Sequence, residues 1–352
     1  MPSKDDIIAA LQQIQHPGSN ANIVTAGLVQ DVRVNGAVVS ILLEIPAAEA
    51  NAMEPVRAAC EKAALSLKGV ERARAVMTAA KAPAPEGKPS TPRPPTPKHL
   101  QGVKHVVAVA SGKGGVGKST TAVNLAFALK ALGKKVGIID CDIYGPSVAK
   151  MMKIEGRARF SDKDRIRPQF RDGVAAMSMG CIVDPDTAAI WRGPMVISAV
   201  QQLLTGVDWN EEGDLDILVA DLPPGTGDVQ LTLAQTAVIS GAIIVSTPQD
   251  IALIDARKAF DMFAKTNTPI VGLIENMSYF TCPKCGERSD IFGHGGARDT
   301  AREKNVPFLG EIPLHLDIRE TADAGEPIVT ARPDSEHAKA YLEIAKKVLA
   351  SL

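Results

Sequence analysis

Aromatic residues make up only 4% of this 352-residue chain. A core must therefore come from the aliphatic residues that dominate its 45% hydrophobic content. Buried parallel strands are runs of such Val, Ile and Leu, so the balance favours an α/β protein. Cysteine is sparse and odd in number: Cys60, Cys141, Cys181, Cys282 and Cys285. That excludes a disulfide framework and suits a reducing compartment. Neither charge sign is in excess, with a net charge of −1. No acidic tail or general basic surface advertises nucleic acid. Aliphatic runs reach about 5–9 residues, short of the roughly 20 that span a bilayer. The opening MPSKDDIIAALQQI is charged early and amphipathic, unlike a secretory leader. The expected location is the cytoplasm, with no membrane and no nucleic acid as partner.

The length suggests two domains. Residues 81–102 are rich in Pro, Ser, Thr and Lys and read as a semi-rigid linker. Residues 1–80 read as a small α+β domain. Ser3 is a candidate cap for a helix carrying Ile7, Leu11 and Ile14. Asn35-Gly36 predicts a hairpin turn between alternating valines and isoleucines. A second helix is predicted from near Pro55 to Lys68, with Gly69 as its stop.

Residues 103–352 alternate strand and helix. Strands are predicted at 105–110, 135–140, 174–179, 217–221, 242–247, 270–274 and 306–312, with helices between several of them. This predicts a mostly parallel sheet covered by helices on both faces. The C-terminal stretch places Tyr341, Ile344, Ala345, Val348 and Leu352 on one helical face. Its few lysines favour packing against the sheet over a membrane role.

Between the first strand and first helix of this region lies Gly112-Lys113-Gly114-Gly115-Val116-Gly117-Lys118-Ser119, followed by Thr120. Glycines let the backbone wrap phosphates, and the helix N-terminus adds positive character. In such a loop Lys118 reaches the β- and γ-phosphates of ATP and Ser119 holds Mg²⁺. Asp221 ends one strand and fits the Walker-B role of holding that Mg²⁺, directly or through water. Asp142 follows another and fits the positioning of attacking water, with Asp140 beside it.

The second lysine, Lys113, makes the loop resemble the deviant phosphate loop of the MinD/ParA/nitrogenase-iron-protein class. The resemblance implies that Lys113 acts across a nucleotide-sandwich homodimer on the partner's nucleotide.

Cys282-Pro283-Lys284-Cys285 leaves four readings open. A zinc knuckle needs more ligands, with His294 and Asp290 as candidates. A redox dithiol usually opens a helix. The pair can be incidental. In a two-fold dimer, two thiolates per chain make the four of a 4Fe–4S cluster.

SGKGGVGKSTT at Ser111–Thr121, DCDIYGPS at Asp140–Ser147, WRGP at Trp191–Pro194, DLPPGTGD at Asp221–Asp228, ENMS at Glu275–Ser278 and the cysteine pair together resemble the Mrp/ApbC iron–sulfur cluster carriers. The resemblance covers most of the chain. It implies a labile 4Fe–4S cluster held between subunits on Cys282 and Cys285. It also implies slow ATP hydrolysis, and transfer between scaffold or donor proteins and apoproteins. It further implies that Asn276 contacts adenine and that the segment after Pro313 borders the base. Residues 1–80 resemble the iron–sulfur-assembly domain fused ahead of these carriers. They depart from it at His16-Pro17-Gly18-Ser19 and lack a cysteine in the Pro46–Pro55 loop. Cys60 reads as packing, as do Cys141 and Cys181. The competing functions are a MinD/ParA-like positioning or partition ATPase without a cluster, and an electron-transfer ATPase with a stable one.

Overall fold

Alternation of aliphatic runs with helical stretches resolves, in the computed structural model, into two compact units, Met1–Pro92 and Arg93–Leu352. The structure describes residues 4–17, 21–35, 37–46, 50–80, 97–161, 165–182 and 193–352. Ser3, Gly18, Ser19, Gly36, most of the predicted linker, Trp191 and Arg192 lie outside the described residues.

The small unit comprises α1 (Lys4–Leu11), β1 (Val29–Asn35), β2 (Val38–Pro46), α2 (Ala50–Leu65) and β3 (Arg72–Ala80). β1 and β2 pair antiparallel with Val34 opposite Val39, and α2 carries the chain across to β3, parallel to β2. Ile7, Leu11, Ile41, Leu43 and Cys60 are buried together. Helix α2 starts before the predicted position, so Pro55 lies inside it. There the proline both removes one intrahelical hydrogen bond and crowds the carbonyl four residues back, so its cost falls on the first turn alone. The helix also ends earlier than predicted, giving way to turns over 66–69 with Gly69 at φ 97°.

The large unit runs β4 (Val103–Ala110), α3 (Lys118–Ala131), β5 (Val136–Asp140), α4 (Val148–Met151), β6 (Gln169–Arg171), β7 (Val174–Ser178), α5 (Gly193–Gly206), β8 (Leu215–Asp221), α6 (Asp228–Thr236) and β9 (Gly241–Ser246). It continues α7 (Asp250–Lys265), β10 (Ile270–Thr281), β11 (Arg288–Ser289), α8 (Gly296–Glu303), β12 (Phe308–Leu314), α9 (Leu316–Asp323), α10 (Ile328–Ala331) and α11 (Glu336–Ser351). The sheet order is β11-β10-β9-β4-β8-β5-β7-β6, with β12 also on β10. Among the described residues of this sheet, only β6 and β11 are antiparallel to their neighbours. β4 is central, and alternate residues feed opposite faces. Val106, Ala108 and Ala110 join a core with α5, α6 and α7, including Leu203, Leu233 and Phe260. Val107 and Val109 join α3 and α11 through Leu125, Leu129 and Ile344. Tyr341, Ile344, Ala345 and Val348 of α11 are all buried there, so its apolar face packs on the sheet. No described helix is long and apolar enough to cross a membrane.

Strand β10 runs seven residues past its predicted end at Ile274. Its first half is clamped between β9 and β12, and its last two residues pair with β11.

Candidate nucleotide site and cysteine hairpin

The glycine loop joins β4 to α3 at the C-terminal edge of the sheet, where ligands of open α/β folds bind. Two glycines are dictated by space. A Cβ on Gly112 would lie 2.1 Å from the carbonyl carbon of Asp255 in α7. One on Gly117, at φ 78°, would lie 2.1 Å from Nδ2 of Asn276. That amide donates to the carbonyl of Val116 at 2.8 Å, tying the loop to β10. Asn276 also lines a cavity of about 380 Å³ with Gly117, Thr120, Met151, Met277, Pro313 and His315. The sequence-implied base contact therefore sits beside a loop-fastening bond that no motif announced.

Lys118 is buried at the start of α3, and its Nζ donates to Asp221 Oδ1 at 2.5 Å and Ser119 Oγ at 3.0 Å. Asp221 is wholly buried, and its Oδ2 has no partner among the described residues. Burial pushes its carboxyl upward, against the pull of Lys118. A free carboxylate oxygen near a serine hydroxyl suits a hard cation such as Mg²⁺. Asp140, aligned with Asp221 in the sheet, accepts from the amides of Asp142 and Val148 and from Ser178 Oγ. It thereby fixes the turn that presents Asp142. Burial, then the charge of Asp221, pushes Asp140 up to about 7. Asp142 is half-buried, and its Oδ1 accepts from Gly145 N at 3.3 Å. Lys113, Gly114 and Gly115 are exposed, and the Lys113 carbonyl accepts from Ser111 Oγ.

Gln230 was not anticipated. Its side chain accepts from Gly227 N and donates to the carbonyls of Pro223 and Gly225, bracing the loop after Asp221. With glycine at the N-cap only the half in which Gln230 accepts from Gly227 N can form, so the sequence carries no capping-box signature here.

The cysteines occupy the turn of the β10–β11 hairpin. Cys282 N donates to Glu287 O at 2.9 Å, and Gly286 N to Cys282 O at 2.8 Å. Cys282 is half-buried and Cys285 exposed. The backbone amides of Cys285, then Lys284, aim at the Cys282 sulfur and hold its thiol below the usual range. A turn that directs N–H groups at a sulfur stabilises thiolate, the metal-ligating form. The zinc set with His294 and Asp290 is not gathered. His294 Nδ1 lies 3.1 Å from Ser278 Oγ, and Asp290 pairs with Arg288. Among the described residues, the groups with ligand atoms within 4.8 Å of one another are Glu275–His294–Glu311 and His315–Asp317–His337, without cysteine. The pair also opens no helix, so the thioredoxin-like context is absent. Cys141 and Cys181 are buried, and burial raises both thiols.

The family model described as NUBPL iron-transfer P-loop NTPase matches residues 102–349, and that described as iron-sulfur cluster assembly protein matches 4–75. The iron-sulfur cluster transfer protein NUBPL of Mus musculus is 54% identical over 260 residues, covering 73% of this chain and 81% of that protein. The iron-sulfur cluster carrier protein of Escherichia coli K12 is 41% identical over 347 residues, covering 98% of this chain and 91% of that protein. Among solved structures, a nucleotide-binding protein from Archaeoglobus fulgidus in complex with ADP superposes with a TM-score of 0.59 at 37% identity. It covers 68% of this chain and 93% of that one. The cell division ATPase MinD of Pyrococcus furiosus, 22% identical with a TM-score of 0.54, shares the fold over 70% of this chain and 99% of that one.

Proposed function

The chain belongs to the NUBPL iron-transfer P-loop NTPase family, and on that premise we propose that it is an ATP-dependent iron–sulfur cluster carrier. It holds a labile 4Fe–4S cluster between two copies of itself and passes it to apoproteins. The observation that carries this reading is the hairpin turn: one thiol exposed, its neighbour held below the usual thiol range by backbone amides. Two such thiols per chain are half a four-thiolate set, and a two-fold axis supplies the rest. A positioning or partition ATPase would have no use for this turn.

The nucleotide site is read residue by residue. Gly112 to Thr120 cradle the phosphates, with Lys118 at the β- and γ-phosphates. On binding, Lys118 exchanges Asp221 for phosphate oxygens, which frees Asp221 and Ser119 to hold Mg²⁺. The ion neutralises charge on the phosphates. Asp142 orients water, and Lys113 serves the partner's nucleotide. The 380 Å³ cavity beside Asn276 and Pro313 takes the base. Turnover in this reading is slow, a gate rather than a motor.

Anaerobic reconstitution with iron and sulfide tests the reading. About four irons per dimer are expected. The Cys282→Ala/Cys285→Ala double variant should lose the cluster and keep nucleotide binding. Full cluster retention in that variant would refute the bridging.

A further inference from the structure

Strand β10 touches both ends of the proposed machine, and consecutive residues on it hold different things. Asn276 fastens the glycine loop through Val116 O. Glu275, wholly buried, accepts from Gly295 N at 2.9 Å, Ala297 N at 2.7 Å and Ser278 Oγ at 2.6 Å. Gly295 and Ala297 lie on the chain returning from the cysteine hairpin. That return is fastened twice more. His294 meets Ser278, and Arg288 of β11 reaches His294 at 3.1 Å while its guanidinium stacks on Tyr279 at 4.0 Å. Four residues of one five-residue run, Glu275, Asn276, Ser278 and Tyr279, thus bind the phosphate loop on one side and the base of the hairpin on the other.

Met277 stands in the middle of this run, and it is conformationally exceptional. Its φ is 55°, in the left-handed region that unbranched non-glycine residues enter only when their surroundings impose it. The register of β10 against β12 shifts between Asn276 and Phe280, spanning it. Its side chain lines the base cavity, and its Cε lies 3.6 Å from where a Cβ on Gly117 would be. The strained residue is therefore the one that a bound base would touch, five residues before Cys282.

We infer that β10 couples nucleotide occupancy to the presentation of the cysteine pair, with Met277 as the hinge. A base entering the cavity changes the packing of Met277. In this scheme the backbone at 277 then relaxes toward negative φ, where a methionine carries no strain. The hairpin, fastened at Ser278 and Tyr279, moves with that change. Met277 and Ser278 are positioning residues in this scheme, touching neither phosphate nor iron. The inference builds on the carrier reading, yet its test needs no cluster.

Cys60, Cys141 and Cys181 are buried, so a maleimide on the reduced, metal-free full-length protein reports chiefly on Cys285 and Cys282. Alkylation is followed by mass spectrometry with and without ATP or ADP at saturation, occupancy being checked by titration for each variant. Nucleotide should change the wild-type rate by about 5-fold or more, the lower end of ordinary site-to-site coupling. Met277→Gly, which accepts φ 55° without strain, should cut the change below about 2-fold, while Met277→Leu keeps it. Ser278→Ala, which leaves the cavity lining intact, should also reduce it, and decides the matter if Met277→Gly fails to fold. A wild-type rate indifferent to bound nucleotide overturns the coupling, as does an undiminished response in Ser278→Ala or folded Met277→Gly. Failure of iron to assemble on the cysteines sinks the carrier reading and leaves the thiol response standing. A cluster that forms with no thiol response does the opposite.

Discussion

Lys118 and Asp221 neutralise one another in a site closed to water, and the consequences of breaking the pair follow from which partner is left. Lys118→Met strands a buried carboxylate, a change that costs about 3–5 kcal/mol when the remaining group must stay charged. Asp221 need not stay charged, because burial already pushes its carboxyl upward. Lys118→Met should therefore abolish ATP binding by calorimetric titration while lowering stability by less than that range. Lys113, exposed and outside this pair, should behave differently: Lys113→Ala is expected to spare binding more than hydrolysis. Equal losses in both would argue against its action on a partner's nucleotide. A second residue-scale prediction concerns His337. Its ring lies 4.1 Å from that of His315, with Asp317, Glu336 and Arg332 around them. Burial first, then the neighbouring His315, depresses its pKa below the usual 6.5. The unfolded chain thus binds the proton more readily than the fold does. The contribution of His337 is full above about pH 6.5 and is lost as pH falls through the depressed value. Melting temperature should fall on acidification from pH 7 to 5, and His337→Phe, which keeps a ring, should flatten that slope. An identical slope in the variant would remove His337 from the account.

At the scale of elements, the glycine loop is held from behind by α7 and from the side by β10. Gly112→Ala would push its Cβ into the Asp255 carbonyl, which is backbone and cannot rotate away. The loop or α7 must shift. We expect at least a tenfold loss of ATP affinity, on the order of 1.4 kcal/mol, measurable by titration; unchanged affinity would mean α7 yields freely. The glycine spacing was readable in the chain, since the motif sits where a strand of aliphatics gives way to a helix. What β10 does after Ile274 was not. Glu275, Asn276 and Ser278 are polar, and a polar run after an apolar strand resembles a turn. Ser278 donates to Glu275 three residues back, but Glu275 is otherwise satisfied by backbone amides 20 and 22 residues on, and Asn276 by the carbonyl of Val116. Partners so remote leave no local signal. Helices α8 and α9 escaped for a related reason. In α8 only Ala297, Thr300 and Ala301 are buried, too small a stripe to stand out among charged neighbours. Pro55 misled in the other direction, being read as a helix start when it lies one turn inside.

For the molecule as a whole, the small and large units have separate hydrophobic cores. Nucleotide binds residues of the large unit in the proposed reading, so it should stabilise that unit alone. Calorimetric heating of the full chain should resolve two transitions. ATP at 100 times its Kd should move one of them, by about 2.7 kcal/mol of added stability, and leave the other in place. A single transition shifting as a block would show that the units unfold together. The division between Pro92 and Arg93 falls inside the proline-rich stretch. The departures of the small unit from its relatives say little about its role, and Cys60 in its core offers no thiol to solvent.

Two thiols on one exposed turn carry a last consequence. On the bridging reading proposed above, a cargo that needs four sulfurs from carriers with two apiece obeys a dilution law. At fixed cluster supply and low occupancy, the concentration of loaded dimer then rises with the square of carrier concentration, and any event that separates the halves leaves two irons without their thiolates at once. Release would require no pull from an acceptor stronger than the carrier's own grip. It would be built into the act of parting, and the abundance of the carrier would set how long its cargo stays aboard.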